Sequence, residues 1–303
     1  MGSRLSAVLR VVTAGACWAL AAIIAKGAFD RGVSPGRMAE ARVVVALVIL
    51  IAILAVARRD LFRPPRGSLG ALAAFGLCVA LVNGAYYAAI DRVAVGVALS
   101  LQYTGPVLLL GWAALGESRP GRGAWVAAGI TLLGAVLVSQ AYHGFGSLNG
   151  FGVLAGVASA FFFAGYLLTA QAAGRRGADP ATVLVWGFVF AAIAWGVVEP
   201  WWSWPVAKLG DVHVTLAVLG VGVLGTLIPF FLAVGAVRVL TPAAAGIAAT
   251  VEPPFAAAFA WIFLGQHLSV VQLAGGALVV AGVVVAHRLH AGTKEAAPLE
   301  VAP

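Results

Sequence analysis

The residue with the clearest potential for chemistry is a carboxylate in a strongly apolar stretch. Glu252 falls near the middle of the apolar segment 241–264 and directly precedes Pro253 and Pro254. A charge at the centre of a bilayer costs at least about 2.5 to 3.5 kcal/mol on insertion scales, so this carboxyl should face protein or a water-filled cavity. There it could bind an amine or exchange a proton. The alternative is a structural carboxyl that hydrogen-bonds the backbone groups freed by the two prolines.

A second helix-breaking step lies in the first half of the chain. Gly105 and Pro106 follow three polar residues, Gln102, Tyr103 and Thr104, inside another apolar segment. A break at this point could present backbone carbonyls and the Gln102 amide to a solute. The alternative is that Tyr103 and Thr104 only satisfy the backbone groups of the kink.

Further polar and aromatic residues could line the same cavity. Asn83 and Tyr87 are four positions apart and therefore share one helix face, whereas Tyr86 points about 100° away, towards lipid or the core. Trp18 and Tyr166 could supply aromatic walls, although plain core packing is the preferred interpretation of both.

Several patterns that resemble ligand sites are interpreted as packing features. Residues 220–225 match GxGxxG, but they lie in an apolar span with no acidic residue about 20 positions on. Close helix packing by small residues is therefore favoured over dinucleotide binding. His287 and His290 lack an apparent third metal ligand. Cys17 and Cys78 both lie in apolar runs, where a thiol behaves as a small hydrophobe. We predict no metal, no disulfide and no cofactor.

The elements that position these residues are membrane-spanning helices. Hydrophobic residues make up 62% of the 303 positions and charged residues only 10%, whereas soluble domains are about half apolar and about a quarter charged. A spanning helix needs about 20 apolar residues. Division at charged and Pro- or Gly-rich segments gives ten spans: 7–25, 36–57, 69–89, 93–115, 122–141, 149–170, 181–199, 212–233, 241–264 and 270–287.

The basic residues indicate the orientation of these spans. With the N-terminus in the cytoplasm, 13 of the 19 Lys and Arg residues fall in cytoplasmic segments and five in outside loops, as the positive-inside rule requires. The net charge of +8 thus reflects loops and predicts no nucleic-acid partner. We expect an uncleaved first helix, and Trp201, Trp202 and Trp204 at the outer interface. Arg42 lies inside a span, where it could snorkel or pair with a carboxylate such as Glu40.

An internal repeat divides the chain into two halves. Matching positions recur at offsets of 145, 146 and 147 residues: Pro35 with Pro180, Arg92 with Arg238, and Pro106 with Pro253. Because each half holds an odd number of spans, the second half enters the membrane with opposite polarity. The predicted fold class is an all-α polytopic membrane protein with ten transmembrane helices in two inverted five-helix repeats. We place the first repeat at 1–143, the second at 144–290, and a disordered cytoplasmic tail at 291–303.

These features resemble those of the drug/metabolite transporter superfamily, in particular its EamA-type members. Residues 253–266, PPFAAAFAWIFLGQ, are similar to the family's closing pattern of a Glu-Pro step, an apolar run and Gly-Glu, with Gln266 in place of the acid. Residues 106–117 keep Gly-Glu but are two residues shorter. Arg42, followed by an apolar run, is similar to the Arg that opens the family's second helix.

Within the superfamily, residues 83–106 and 166–174 resemble the threonine/homoserine exporter branch. The similar positions include Tyr87, Gly96 and the Thr104-Gly105-Pro106 step. That branch tends to have an acid where Gln102 stands. The resemblance implies a ten-helix carrier that has both ends in the cytoplasm and exports amino acids or related metabolites.

We therefore expect a secondary transporter, working as an exporter, that moves small metabolites such as amino acids across the plasma membrane by alternating access. The central site is predicted to be lined by Glu252, Gln102, Tyr103, Asn83, Tyr87, Trp18 and Tyr166. An intramembrane enzyme acting on lipid-linked substrates and a solute channel are the alternatives. The expected partners are a small-molecule substrate, the lipid bilayer and, for a homodimer, a second copy of the chain.

Overall fold

The computed structural model describes residues 2–116 and 119–291, and this part of the chain is helical and contains no strand. Its ten long apolar helices are α1 (Gly2–Phe29), α2 (Pro35–Ala57), α3 (Leu69–Ile90), α4 (Val95–Ala114), α5 (Arg122–Val138), α6 (Gly150–Arg175), α7 (Pro180–Val198), α8 (Val212–Ala236), α9 (Pro242–Leu264) and α10 (Val270–Ala291). Of these, nine are long and apolar enough to cross a membrane, and α5, with 17 residues, is shorter. Residues 292–303 of the predicted tail and Glu117 of the first Gly-Glu pattern lie outside the described residues.

The outer surface of the bundle is apolar. Val56, Val197 and Val270 are each more than three quarters exposed, and many other large hydrophobic side chains share that surface. Such a surface would be unfavourable in water but matches hydrocarbon. The protein is therefore a multi-pass membrane protein.

Equivalent helices of the two halves start in the same way. Pro35 and Pro180 occupy the first turns of α2 and α7, where the missing backbone N–H costs no hydrogen bond. Ser34 and Asp179 cap these helices, and the side chain of each accepts a hydrogen bond from a first-turn backbone N–H. The repeat seen in the sequence thus corresponds to equivalent structural positions.

Contacts between the halves follow a pseudo-two-fold pattern. Helix α3 packs against α6 and α7, and its counterpart α8 packs against α1 and α2. Likewise α4 packs against α6, while α9 packs against α1, and the last helices of the halves, α5 and α10, pack against each other. Exchanging the halves therefore reproduces the set of contacts, as expected for a structural repeat.

Helices α2 and α7 show that the halves run in opposite senses. At one end, Thr182 Oγ1 near the start of α7 donates to the carbonyl oxygen of Leu61, just after α2, at 2.8 Å. At the other end, Arg37 Nη1 near the start of α2 donates to the carbonyl oxygen of Pro200, just after α7, at 3.0 Å. The start of each helix thus lies beside the end of the other, and the inverted arrangement predicted from the sequence is confirmed.

Glycines allow the closest approaches between helices. A Cβ atom on Gly134 of α5 would lie 2.7 Å from the carbonyl oxygen of Gly275 on α10. A Cβ on Gly225 would lie 2.7 Å from the Cβ of Ala21 on α1. The GxGxxG segment at 220–225 therefore serves helix packing, as predicted.

Candidate functional site

The two helix breaks meet at the centre of the bundle. Helix α4 is interrupted between Gln102 and Gly105, and α9 is interrupted between Ala249 and Glu252. From within the first break, Tyr103 Oη donates a hydrogen bond of 2.6 Å to Glu252 Oε2 in the second. This distance is typical of a hydroxyl that donates to a carboxylate. The predicted site residues Glu252 and Tyr103 are therefore in direct contact.

Each break satisfies part of its own backbone through a threonine. Thr104 Oγ1 donates to the carbonyl oxygen of Leu101 at 2.7 Å, and Thr250 Oγ1 donates to that of Ile247 at 2.6 Å. The alternative proposed for Thr104, that it satisfies the kink, is thus what the structure shows. Tyr103 behaves differently because its hydroxyl crosses to the opposite half.

Glu252 lies at the start of a half-helix. It is the first residue of the segment Glu252–Leu264, with Pro253 and Pro254 in the same turn. The positive end of the helix dipole favours a negative charge at this position. Among the described residues, the hydrogen-bond partner of the Glu252 carboxylate is a side chain, the Tyr103 hydroxyl, rather than a backbone group.

A cluster of aromatic side chains extends from Tyr103, one partner in the contact between the breaks. The ring centroids lie 6.0 Å apart for Tyr103 and Phe163, 5.3 Å for Phe163 and Tyr166, 5.6 Å for Tyr166 and Phe230, and 5.6 Å for Trp18 and Phe230. All four pairs pack edge to face, which aromatic quadrupoles favour. Tyr166 is buried and Trp18 is half-buried. The core packing preferred for these two residues is observed, and this core borders the Glu252 site.

Arg42 turns into the bundle, and its contacts differ from both sequence interpretations. Its Nε donates to Thr226 Oγ1 at 2.7 Å, and one Nη donates to the carbonyl oxygen of Gly225. The other Nη lies 3.4 Å from Asn83 Oδ1. A π-helical turn, Val223–Leu227, widens α8 at this point, and such turns are frequent at functional sites.

Neither snorkelling nor an ion pair with Glu40 accounts for Arg42. Glu40 instead pairs with Arg37, 3.4 Å away. Among the described residues, the contacts of the Arg42 guanidinium are with Thr226, Gly225 and Asn83 rather than with a carboxylate. The guanidinium thus places a fixed positive charge next to the predicted site residue Asn83.

The remaining predicted residues, Asn83, Tyr87 and Gln102, lie on α3 and α4. The Asn83 amide donates to the carbonyl oxygen of Val79 at 2.9 Å, while its oxygen faces Arg42. The Tyr86 and Tyr87 rings are 6.0 Å apart, and Tyr87 packs against the main apolar core. Gln102 is half-buried at the end of the first half of α4. The structure therefore joins Asn83 to the Arg42 group, whereas for Tyr87 and Gln102 it shows no contact with Glu252 among the described residues.

For Tyr86, the sequence left lipid and core packing open. The residue is half-buried and packs against a buried apolar cluster that includes Ala89 and Val93, so core packing is observed. The reason is that α3 packs against both α6 and α7, which places two of its faces inside the bundle. Phe163 and Phe230 were missed, because an aromatic residue in a uniformly apolar helix carries no sequence signal for the direction of its side chain.

Glu252 and Arg42 carry charges that suit the two ends of a small organic ion. A half-buried carboxylate that contacts a member of an aromatic cluster suits an ammonium group. A guanidinium suits a carboxylate. Within residues 2–116 and 119–291, no group of three or more His, Cys, Asp or Glu residues is arranged to hold a metal ion.

Comparison with known proteins identifies a matching transporter family and similar transporters. A model of the EamA-like transporter family matches residues 5–140 and again residues 150–287. The threonine/homoserine exporter RhtA of Salmonella typhimurium is 30% identical over 266 residues, which cover 86% of this chain and 84% of that protein. The Escherichia coli exporter of the same name has the same identity and coverage.

Two further similarities extend this comparison. An uncharacterized transporter of Archaeoglobus fulgidus is 30% identical over 240 residues, 78% of this chain and 82% of its own. A solved crystal structure with 20% identity superposes with a TM-score of 0.77 and covers 96% of this chain and 100% of its own. The latter similarity concerns the fold.

Proposed function

Because the chain belongs to the EamA-like transporter family, we propose that it is a secondary exporter of amino acids or related small metabolites that works by alternating access. The family and the RhtA relatives make it a membrane transporter rather than an enzyme. Threonine and homoserine, the compounds after which these exporters are named, are the first compounds to test. The observation that carries the proposal is the hydrogen bond between Tyr103 and Glu252, which joins the two helix breaks.

Inverted halves support the mechanism. Such halves can exchange conformations and open a shared central site to each side of the membrane in turn. The Tyr103–Glu252 contact joins the halves directly, so a substrate that replaces it would also change how they are held together. The sequence shows no ATP-binding motif, and the proposed energy source is a gradient or downhill flow.

The substrate class follows from the charges. An amino-acid zwitterion would place its ammonium group at Glu252, among the aromatic rings, and its carboxylate towards Arg42. Asn83, Gln102 and Tyr87 would offer further polar contacts, and Trp18 and Tyr166 would complete the wall.

The membrane placement is proposed as well. The distribution of Lys and Arg supports a plasma (inner) membrane protein with both termini in the cytoplasm. We propose two repeats, 1–143 and 144–290, and two copies of the chain as a homodimer. Size-exclusion chromatography with light scattering in detergent would measure the oligomeric state.

Counterflow in proteoliposomes tests the function. Liposomes loaded with unlabelled threonine should accumulate labelled threonine in a saturable way if the protein is a carrier, whereas a channel would give no counterflow. We expect Glu252→Gln to lower the rate at least about tenfold, which corresponds to about 1.4 kcal/mol, and to change the pH dependence of transport. A Glu252→Gln protein with unchanged rate and pH dependence would refute the role of Glu252.

A matched control removes a carboxylate away from the site. Asp60 lies in the loop after α2, and its hydrogen bond with Arg58 lowers its pKa, so it is ionised at neutral pH. Asp60→Asn makes the same carboxylate-to-amide change, and we expect it to transport like the unmodified protein. Equal losses in both variants would show that Glu252→Gln acts through a general loss of charge.

A further inference from the structure

A second site lies on the side of the bundle. A groove of about 530 Å³ opens between α2 and α7, and the residues that line it are apolar except for Glu40. Helix α2 contributes Glu40, Val44 and Leu47, and α7 contributes a row that runs from Val189 to Gly196. The groove is separate from the central contact between the helix breaks.

The groove is shaped for an extended chain. Glu40, Val44 and Leu47 are spaced by four and three residues, so they lie on one face of α2 and span about 10 Å along its axis. Because α7 runs antiparallel to α2, Gly196 lies towards the end of the groove that holds Glu40, and Val189 lies towards Leu47. The groove therefore has one polar end and one apolar end.

The polar end contains an unsatisfied carboxylate oxygen. Glu40 is only 2% exposed, and its Oε1 atom is buried without a hydrogen-bond partner. Its Oε2 atom has a weak contact, 3.4 Å, with Arg37 Nη1. A buried acceptor in this state costs free energy, and a donor placed in the groove would remove that cost.

The hydrogen bonds that the structure shows for Arg37 go to groups other than Glu40 Oε1. Its Nε lies 3.0 Å from Glu199 Oε2, and it donates to Pro200 O at 3.0 Å and to Ser203 Oγ at 2.8 Å. Glu40 and Glu199 thus share one guanidinium, which leaves a surplus of one negative charge when both are ionised. A ligand with a single positive charge would balance it.

We propose that this groove binds a membrane-dissolved amphiphile whose protonated amine is attached directly to an apolar chain. The amine donates hydrogen bonds to Glu40, and the chain lies along Val44 and Leu47. A phospholipid fits less well because its phosphate and glycerol would lie over these apolar side chains. A neutral alkyl chain would leave the Glu40 oxygen unpaired.

Photolabelling tests the proposal. The full-length protein in phosphatidylcholine nanodiscs is exposed to a long-chain primary amine that carries a diazirine at its far end. We expect saturable labelling of α2 and α7, mapped by mass spectrometry, and competition by dodecylamine but not by dodecanol. Glu40→Gln should weaken the labelling at least about tenfold because it removes the charge of the acceptor. Equal competition by the alcohol, or equal labelling of Glu40→Gln, would overturn the proposal.

A second variant covers the case in which Glu40→Gln does not fold. Val44→Trp keeps Glu40 and its charged neighbours but fills the groove, so it should abolish the labelling, and persistent labelling would overturn the proposal. Glu252→Gln should be labelled like the unmodified protein. This site is thereby tested independently of the proposed transport mechanism.

Discussion

The hydrogen bond between Tyr103 and Glu252 can be removed by deleting a single oxygen atom. In Tyr103→Phe the ring keeps its packing against Phe163, whose centroid is 6.0 Å away. A hydrogen bond to a charged group contributes about 1.5 to 3 kcal/mol. Since Tyr103 is only 1% exposed, water cannot easily replace the lost donor. We therefore expect the free energy of unfolding to fall by an amount in the upper part of that range, about 2 to 3 kcal/mol.

A double-mutant cycle separates this bond from other effects. Tyr103→Phe, Glu252→Gln and the double variant are unfolded reversibly in mixed detergent micelles, and the free energy of unfolding is compared. Because the two residues are in contact, we expect a coupling energy of about 1 kcal/mol or more. If the free-energy changes of the two single variants sum to that of the double variant within about 0.3 to 0.5 kcal/mol, the argument is refuted.

Tyr166→Phe is the matched control. Tyr166 belongs to the same aromatic cluster and is 3% exposed. However, its hydroxyl makes no hydrogen bond to Glu252 within the part of the chain that the structure describes. Paired with Glu252→Gln, it should therefore show a smaller coupling than Tyr103→Phe. An equal coupling would mean that the cycle reports the electrostatics of the cluster rather than one bond.

Three further predictions concern packing and topology. Arg42→Lys should lower both counterflow and the free energy of unfolding, the latter by about 1 to 3 kcal/mol, because an ammonium cannot keep the separate contacts of the guanidinium fork. Gly134→Ala should lower the unfolding free energy by about 1 to 3 kcal/mol, since its Cβ would lie 2.7 Å from a carbonyl oxygen. The control is Gly129→Ala on the same helix, which has open space around it and should leave the unfolding free energy unchanged. Equal effects of the two substitutions would contradict this prediction. In a cysteine-free background, Asp60→Cys and Arg176→Cys should react with a membrane-impermeant thiol reagent from the same side, and reaction from opposite sides would contradict the inverted topology.

The number and limits of the spans could be predicted because they depend on composition and length. Helix α2 was expected at 36–57 and is found at Pro35–Ala57, and α9 was expected at 241–264 and is found at Pro242–Leu264. The prediction was less accurate for α1, expected at 7–25 and found at Gly2–Phe29, and for α6, expected at 149–170 and found at Gly150–Arg175. Helix α5 ends at Val138 instead of 141. Gln140 there adopts a left-handed conformation with φ of 53°, which few non-glycine residues do.

The directions of side chains inside the membrane could not be predicted in the same way. Lipid tails are as apolar as a protein core, so a helix between them carries no polar stripe to mark its inner face. Phe163 and Phe230 were missed for that reason. Arg42 was recognised as unusual, but its partners are Thr226 and the Gly225 carbonyl, which lie in the π-helical turn of α8. This turn could not be predicted from the sequence.

The internal offset of 147 residues shows why the central contact belongs to one conformation. It relates Tyr103 to Thr250 and Glu252 to Gly105, so exchanging the conformations of the two halves would bring Thr250 towards Gly105. A glycine cannot accept the side-chain hydrogen bond. Nor could a larger residue stand there in this conformation, because a Cβ on Gly105 would lie 2.6 Å from Phe163 Cδ1.

Under the proposed alternating access, the Tyr103–Glu252 bond therefore favours the conformation described here over its exchanged counterpart. A bond of about 1.5 to 3 kcal/mol changes the ratio of the two populations by about 10- to 150-fold. A substrate ammonium that takes the place of the Tyr103 hydroxyl at Glu252 would remove this bias in the loaded carrier alone. Without substrate, the bond would hold the carrier in one conformation, whereas the carrier with bound substrate would be free to change conformation. Tyr103→Phe should therefore raise the rate at which the substrate-free carrier exchanges between the two conformations. Accessibility labelling of single cysteines at the two ends of the bundle, with and without threonine, measures that exchange, and an unchanged labelling pattern in Tyr103→Phe would show that the bond does not hold the empty carrier.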